Sequence, residues 1–399
     1  MLHLAGADIV LADRVVSRGS LIVEDGRIAA IDERAVGTPA AATRVDLSGC
    51  TLVPGFIDVH VHGVEGHDVL DGPDAVQEVA ARLPRYGVTA FCPTSVACSD
   101  SVLEALLTSV ARARQQPATA SARVLPAHLE SNFINPEYKG AQPLKCLRTP
   151  RSPRAGGDFG GDDVLAVIAR HRDAIRIITL APEIEGGMAL VRELASAGHL
   201  VSIGHSGATY EQAIAAIDAG VTHATHLFNR MTPMTHRAPG VPGAVLQSER
   251  VAAELICDGF HVHPALMQVA IRNKGVDRVL AITDGTAGSG LPVGSRTRLG
   301  GQEIIVTDRT AELEDGTLAG SVLTMDAAFR ALLQRVGVSL VEAARMCATT
   351  PAAHLGLSAT GRLAAGHVAD IVVLDGQLRV RQTYVGGVRW GNTGRSELV

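Results

Sequence analysis

Aromatic side chains are scarce in this 399-residue chain, at 3% with a single Trp, so its core must be built from aliphatic residues. Basic excess is also missing: 36 Lys and Arg stand against 41 Asp and Glu, a net charge of −5. With no basic stripe along the chain, nucleic acid is excluded as the expected partner. No run of about 18 or more apolar residues occurs, which argues against a membrane-spanning helix. The first residues lack a charged stretch followed by an apolar core, so the expectation is a soluble, cytoplasmic protein without a membrane partner. The six cysteines (Cys50, Cys92, Cys98, Cys146, Cys257 and Cys347) include no C-x-x-C pair. They read as reduced core residues, neither a disulfide frame nor a zinc knuckle.

What is present is a long alternation of apolar strand and helix. Apolar runs at 56–61, 88–92, 124–130, 175–180, 200–205, 221–226, 252–257 and 279–284 are separated by helical stretches such as 74–86 and 210–219. Eight buried strands in βα alternation predict an α/β fold, a (β/α)8 TIM-like barrel, with helices at 325–336 and 340–347 closing it. Pro126 is a blemish in the third strand, tolerable near a strand start. Short β patterns at both chain ends (7–11, 19–24, 27–31, 369–374, 380–385 and 388–390) are each too small to cover a core. They are expected to meet in one small β domain, with an Asp25-Gly26 hairpin turn. The division reads 1–53 and 363–399 for this domain and 54–362 for the barrel. The stretch 135–162, rich in Pro, Gly, Lys and Arg, is the least ordered-looking and should form a long loop at the catalytic end.

The chemistry begins in Pro54-Gly55-Phe56-Ile57-Asp58-Val59-His60-Val61-His62-Gly63. Side chains on a strand alternate with period two, so His60 and His62 share a face. An isolated His-x-His is weak, but other strand ends carry the same residue types: Glu130 on the third, His205 on the fifth, His226 on the sixth and Asp284 on the eighth. In a barrel these ends share one mouth. Four imidazoles and two carboxylates there are enough for two divalent ions, with Glu130 able to bridge them. His128 and His223 read as structural residues, out of register with the ligands or facing the helix layer.

With these residues in place the chain resembles the metal-dependent amidohydrolase superfamily, and within it the N-acetylglucosamine-6-phosphate deacetylases over nearly its full length. The resemblance is carried by Pro54-Gly55-Phe56-Ile57-Asp58, His128-Leu129-Glu130, Thr179-Leu180-Ala181-Pro182-Glu183, Gly204-His205-Ser206, His226-Leu227-Phe228-Asn229, Asp258-Gly259-Phe260-His261, Thr283-Asp284 and Gly316-Thr317-Leu318-Ala319-Gly320-Ser321. It implies removal of the acetyl group from N-acetylglucosamine 6-phosphate by a metal-bound hydroxide, with Asp284 as general acid/base. Glu130, His205 and His226 match the core metal site, and His60 and His62 the second site of two-metal members. Zinc, iron, manganese and cobalt suit such donors equally. Strand four ends in Leu180-Ala181-Pro182 without the bridging lysine of other amidohydrolases, which agrees with Glu130 as the bridge. Asn229, Arg237 and His261 match groups expected to hold the sugar phosphate, Arg237 in a neighbouring subunit of a homodimer.

The chain departs from the family in one region. Glu-Gly-Pro is replaced by Glu130-Ser131-Asn132, and Gly-Ala-His-Pro by Gly140-Ala141-Gln142-Pro143. The missing histidine normally polarises the amide carbonyl, and Gln142 offers only a neutral donor. Either the second metal takes over that work or the substrate differs. The alternatives are a deacetylase of another amino sugar, such as N-acetylgalactosamine 6-phosphate or an aminosugar of secondary metabolism, and a catalytically dead barrel kept as a scaffold.

Overall fold

The computed structural model describes residues 1–33, 42–154 and 158–391. Its centre is a parallel barrel of eight strands, at Phe56–Val61, Val88–Ser95, Ala127–Glu130, Ile175–Leu180, Leu200–Ile203, Val221–Ala224, Ala252–Ile256 and Val279–Ile282. Successive strands pair in chain order. The ring is closed between strands eight and one by a bridge from Val61 to Gly285, with Asp284 N–H donating to the His60 carbonyl at 2.9 Å. The strand sequences are largely apolar or small because both faces of a parallel sheet are covered, one by the barrel interior and one by helices. Buried carboxylates and imidazoles interrupt them at Asp58, His60, His128, Glu130, His223 and Glu254, the last fully buried in the middle of Ala252–Ile256.

Three differences from the expected elements have local causes. Strand three is split into Arg123–Val124 and Ala127–Glu130, because Pro126 cannot donate to the ladder. The stretch 74–86 is an α-helix only over Ala75–Arg82 and tightens into a 3-10 turn at Leu83–Tyr86, where Pro84 sits. Strands five, six and eight end at Ile203, Ala224 and Ile282, two residues short of the expected bounds. Beyond those ends His205, His226 and Asp284 have φ of 47°, 30° and 50°. Non-glycine residues seldom adopt positive φ, and such strain collects at functional sites.

The two chain ends do share a sheet. Residues Thr51–Pro54 pair in parallel with Leu2–Val10 and antiparallel with Ile371–Leu374, and Val380–Val385 continues the sheet. Its hairpin turns at Asp25 and Gly26, both at positive φ as the tight turn requires. The small-sheet strand runs through Gly55 straight into barrel strand one, and on this pairing we keep the division near residues 53 and 363 as a proposal. All six cysteines are free and buried. Among the described residues no helix is long and apolar enough to cross a membrane.

Two segments frame the barrel mouth. The stretch 135–162 contains 3-10 turns at Pro136–Tyr138 and Leu144–Cys146, while 155–157 lie outside the described residues. It is tied down by Asn132, whose Nδ2 donates to the carbonyls of Cys98 (2.6 Å) and Cys146 (2.7 Å). After strand eight, a three-stranded sheet over Arg296–Leu299, Gln302–Val306 and Ala311–Glu312, not expected from the sequence, packs against that segment, with Leu299, Ile304 and Ala311 against Ala141 and Gln302 Nε2 donating to the Ala141 carbonyl at 2.6 Å.

Candidate active site

Period-two alternation puts the His60 and His62 rings on the barrel interior, their Nε2 atoms 3.3 Å apart. Each ring is held from behind, His60 Nδ1 by Glu254 at 2.8 Å and His62 Nδ1 by the Thr94 carbonyl at 3.0 Å. Across the mouth, Glu130 Oε1 meets His205 Nε2 at 2.7 Å and His226 Nε2 at 2.8 Å, and those two nitrogens lie 3.1 Å from each other. His205 Nδ1 faces the Tyr138 carbonyl at 2.8 Å, so the long loop orders this ligand. Asp284 Oδ1 sits 3.1 Å from His62 Nε2 and 3.2 Å from His60 Nε2.

The donors form two triads, His60–His62–Glu130 and Glu130–His205–His226, that share Glu130; within each, the ligand atoms lie within 4.8 Å of one another. The chemistry fits a divalent cation. A ring whose Nδ1–H is donated to an oxygen must present its Nε2 lone pair to the cavity, and His60, His62 and His205 are all arranged so. Two nitrogens each 2.0–2.1 Å from one tetrahedral ion would be separated by about 3.3 Å, close to the spacings within each half. Burial works against charge on these groups, yet pairing overrides it. Glu130, facing His205, His226 and His60, is held well below the usual carboxylate range. Asp284 is likewise held low by His60 and His62. His60 and His62 are raised by the facing carboxylates. A pocket that draws protons onto imidazoles in this way is one that a cation satisfies.

Gln142 is buried at the same place. Its Nε2 donates to Glu130 Oε2 and its Oε1 accepts from Ala97 N–H at 2.7 Å. His261 and Asn229 line the pocket, His261 with Nδ1 held by Asp258 at 2.6 Å. Arg237 is exposed on the loop after strand six and is not brought to this chain's pocket.

His128 and His223 both face the barrel interior, not the helix layer. His128 is two residues from Glu130 and so points inward, where its Nδ1 meets the Val59 carbonyl at 3.0 Å and its Nε2 meets Thr179 Oγ1 at 2.8 Å. His223 also turns inward, to Glu254 Oε1 at 2.8 Å. Both lie beneath the ligands. A third donor group, His60–His128–Glu254, belongs to this lower layer, where the same nitrogens are engaged in these hydrogen bonds.

Three further residues escaped sequence reasoning. Glu254 had a signal, an acid in the middle of an otherwise apolar strand. Asp58 braces strands one and eight, accepting from Thr283 Oγ1 at 2.5 Å, and burial pushes its carboxyl up to about 7. Arg230 lines the pocket and has no acidic partner within ion-pair distance among the described residues. Its chain lies against Gly140 (φ +59°), where a Cβ would come 2.9 Å from Arg230 Nε, so a larger residue at 140 would displace it.

Residues 51–390 match the Amidohydrolase family. The chain is 36% identical over 372 residues to N-acetylglucosamine-6-phosphate deacetylase of Lysinibacillus sphaericus, covering 92% of this chain and 91% of that protein. It is 37% identical over 369 residues to N-acetylgalactosamine-6-phosphate deacetylase of Escherichia coli O157:H7, covering 92% and 93%. Among solved structures it is similar to a mutant N-acetyl-D-glucosamine-6-phosphate deacetylase of Mycobacterium smegmatis in complex with N-acetyl-D-glucosamine-6-phosphate. The TM-score is 0.87 at 31% identity, over 97% of this chain and 98% of that one.

Proposed function

The chain belongs to the amidohydrolase family, and we propose that it hydrolyses N-acetylglucosamine 6-phosphate to glucosamine 6-phosphate and acetate. The observation that carries this reading is a pair of metal-type triads sharing Glu130, with Asp284 Oδ1 3.1–3.2 Å from the second pair of imidazoles. Glu130, His205 and His226 would hold one ion, and His60 and His62 with Glu130 a second. Bound there, divalent ions would make water more acidic and polarise the amide carbonyl. Asp284 takes the proton from the attacking water and passes it to the leaving nitrogen, which departs poorly unprotonated. Asn229, His261 and Arg230 hold the phosphate end. A homodimer in which Arg237 reaches the neighbouring chain's pocket, and a cytoplasmic location, complete the proposal.

The test is acetate release from a panel of phosphorylated and free N-acetyl sugars, with elemental analysis of the same preparation. Turnover should be highest on N-acetylglucosamine 6-phosphate; acetate from none of the phosphorylated sugars would overturn the reading. The second reading is the galacto epimer, favoured by the equally high identity to the E. coli relative, and the panel separates the two.

Gln142 has two amide hydrogens, one on Glu130 and one free for a developing oxyanion. Gln142→Ala should cost on the order of 10²-fold in turnover, with a smaller effect on KM. Steady-state kinetics check it, and turnover within a few-fold of wild type would leave Gln142 as filler. Arg230→Ala should raise KM for the phosphorylated sugar about 10-fold or more, the worth of one charged hydrogen bond. It should leave the unphosphorylated sugar's kinetics unchanged, and equal effects on both would remove Arg230 from the phosphate contact.

A further inference from the structure

Below the ligands a line of polar side chains runs down the barrel axis. Glu254, fully buried on strand seven, meets His60 Nδ1 through Oε2 at 2.8 Å and His223 Nε2 through Oε1 at 2.8 Å. His223 Nδ1 in turn meets His354 Nε2 at 2.8 Å. His354 belongs to the helix Thr350–Leu355. Ala352 and Leu355 of that helix pack with interior residues such as Ile57 and Leu280, and Thr350 donates to the Val276 carbonyl just before strand eight. The helix therefore plugs the end of the barrel opposite the mouth, and the line joins that end to a metal ligand.

Donor and acceptor counting gives the line a direction. A carboxylate that meets a nitrogen through each oxygen accepts at both, and Glu254 meets His60 Nδ1 and His223 Nε2 in this way while also taking the His226 backbone N–H. His60 Nδ1 and His223 Nε2 must therefore carry protons. With its proton on Nε2, His223 accepts at Nδ1, and His354 Nε2 is the donor. Every N–H points toward Glu254, and the His60 lone pair is left facing Asp284 and Glu130.

The two halves of the centre differ in this support. Among the described residues, His60 alone of the four histidine ligands has a carboxylate behind it. His62 and His205 rest on backbone carbonyls, and His226 Nδ1 is buried without a hydrogen-bond partner among the described residues. A carboxylate behind an imidazole makes it a stronger ligand and fixes its tautomer. Glu254 also accepts from the His226 backbone N–H at 3.1 Å, but that contact does not act on the His226 ring.

We propose that Glu254, itself held by His223 and His354, is a positioning residue that sets the affinity of the His60–His62 half of the centre. Retention of the second ion is then decided partly from the far end of the barrel. The inference rests on the metal reading given under the proposed function.

The experiment measures metal content and resistance to a chelator in the purified full-length holoenzyme, for wild type, Glu254→Gln, His354→Ala and His354→Gln. Glu254→Gln should weaken one ion about 10–100-fold, the range for loss of such a support, while the other ion is held as in wild type. His354→Ala should give a smaller loss of the same ion, and His354→Gln, which keeps an N–H donor, should restore it. Equal weakening of both ions, or no change in either, would overturn the proposal. If Glu254→Gln fails to fold, the His354 pair decides: identical metal retention in Ala and Gln variants sinks it. A wild-type protein that holds no metal at all would instead sink the functional reading beneath it.

Discussion

Asp284→Asn should leave a folded, metal-loaded protein that turns over on the order of 10²–10⁴ times more slowly, the range for loss of a general acid/base. The fold should survive because Asp284 makes its structural contacts through its backbone: N–H to the His60 carbonyl at 2.9 Å, and carbonyl to Ser321 N–H at 2.8 Å. Its φ of 50° is a conformation asparagine tolerates well. The metals should stay because the two triads do not include Asp284. What is lost is the oxygen that can accept a proton beside His60 and His62. Elemental analysis and single-turnover kinetics on one preparation test this. Near-normal turnover would place the acid/base elsewhere.

Glu130→Gln should do more damage, because Glu130 is the one ligand common to both triads. A neutral amide is a poor ligand beside a carboxylate, and its NH2 would confront either the imidazole Nε2 atoms or the Gln142 amide that now donates to it. Both ions should be weakened together. Turnover should fall by more than about 10³-fold, since several kcal/mol of charge stabilisation is lost and each ~1.4 kcal/mol is tenfold. His62→Ala is the control: it should weaken one ion only. If Glu130→Gln keeps both ions at wild-type affinity, the shared-ligand assignment fails.

Much of the site could be read before the fold was known. His60 and His62 share a face because strand periodicity is local, and six residues of metal-ligand type at strand ends meet because all parallel barrel strands end on one face. The departures at Ser131, Asn132 and Gln142 were also visible, but their effect was not. Asn132 ties two loops together, and Gln142 spans Glu130 and the Ala97 backbone; neither partner is near in sequence. Arg230 gave no signal at all, since a loop arginine is ordinary until a pocket forms beside it. The inward face of His128 follows from its strand alone, since it lies two residues from Glu130, whereas that of His223 does not follow from His226, because the strand ends at Ala224 and alternation stops there.

By itself, then, the sequence determined the barrel, the small two-ended sheet and the chemical types gathered at the mouth. Those follow from apolar patterning and residue chemistry, both local properties of the chain. Tertiary structure alone decided the layer beneath the ligands and the turn strain at His205, His226 and Asp284. It also decided which nitrogen of each ring faces the cavity. These depend on hydrogen bonds such as His60 to Glu254, 194 residues apart, and on backbone conformations imposed where strands end. A buried polar atom must find its partner wherever the fold brings one, and a linear pattern does not say where that is.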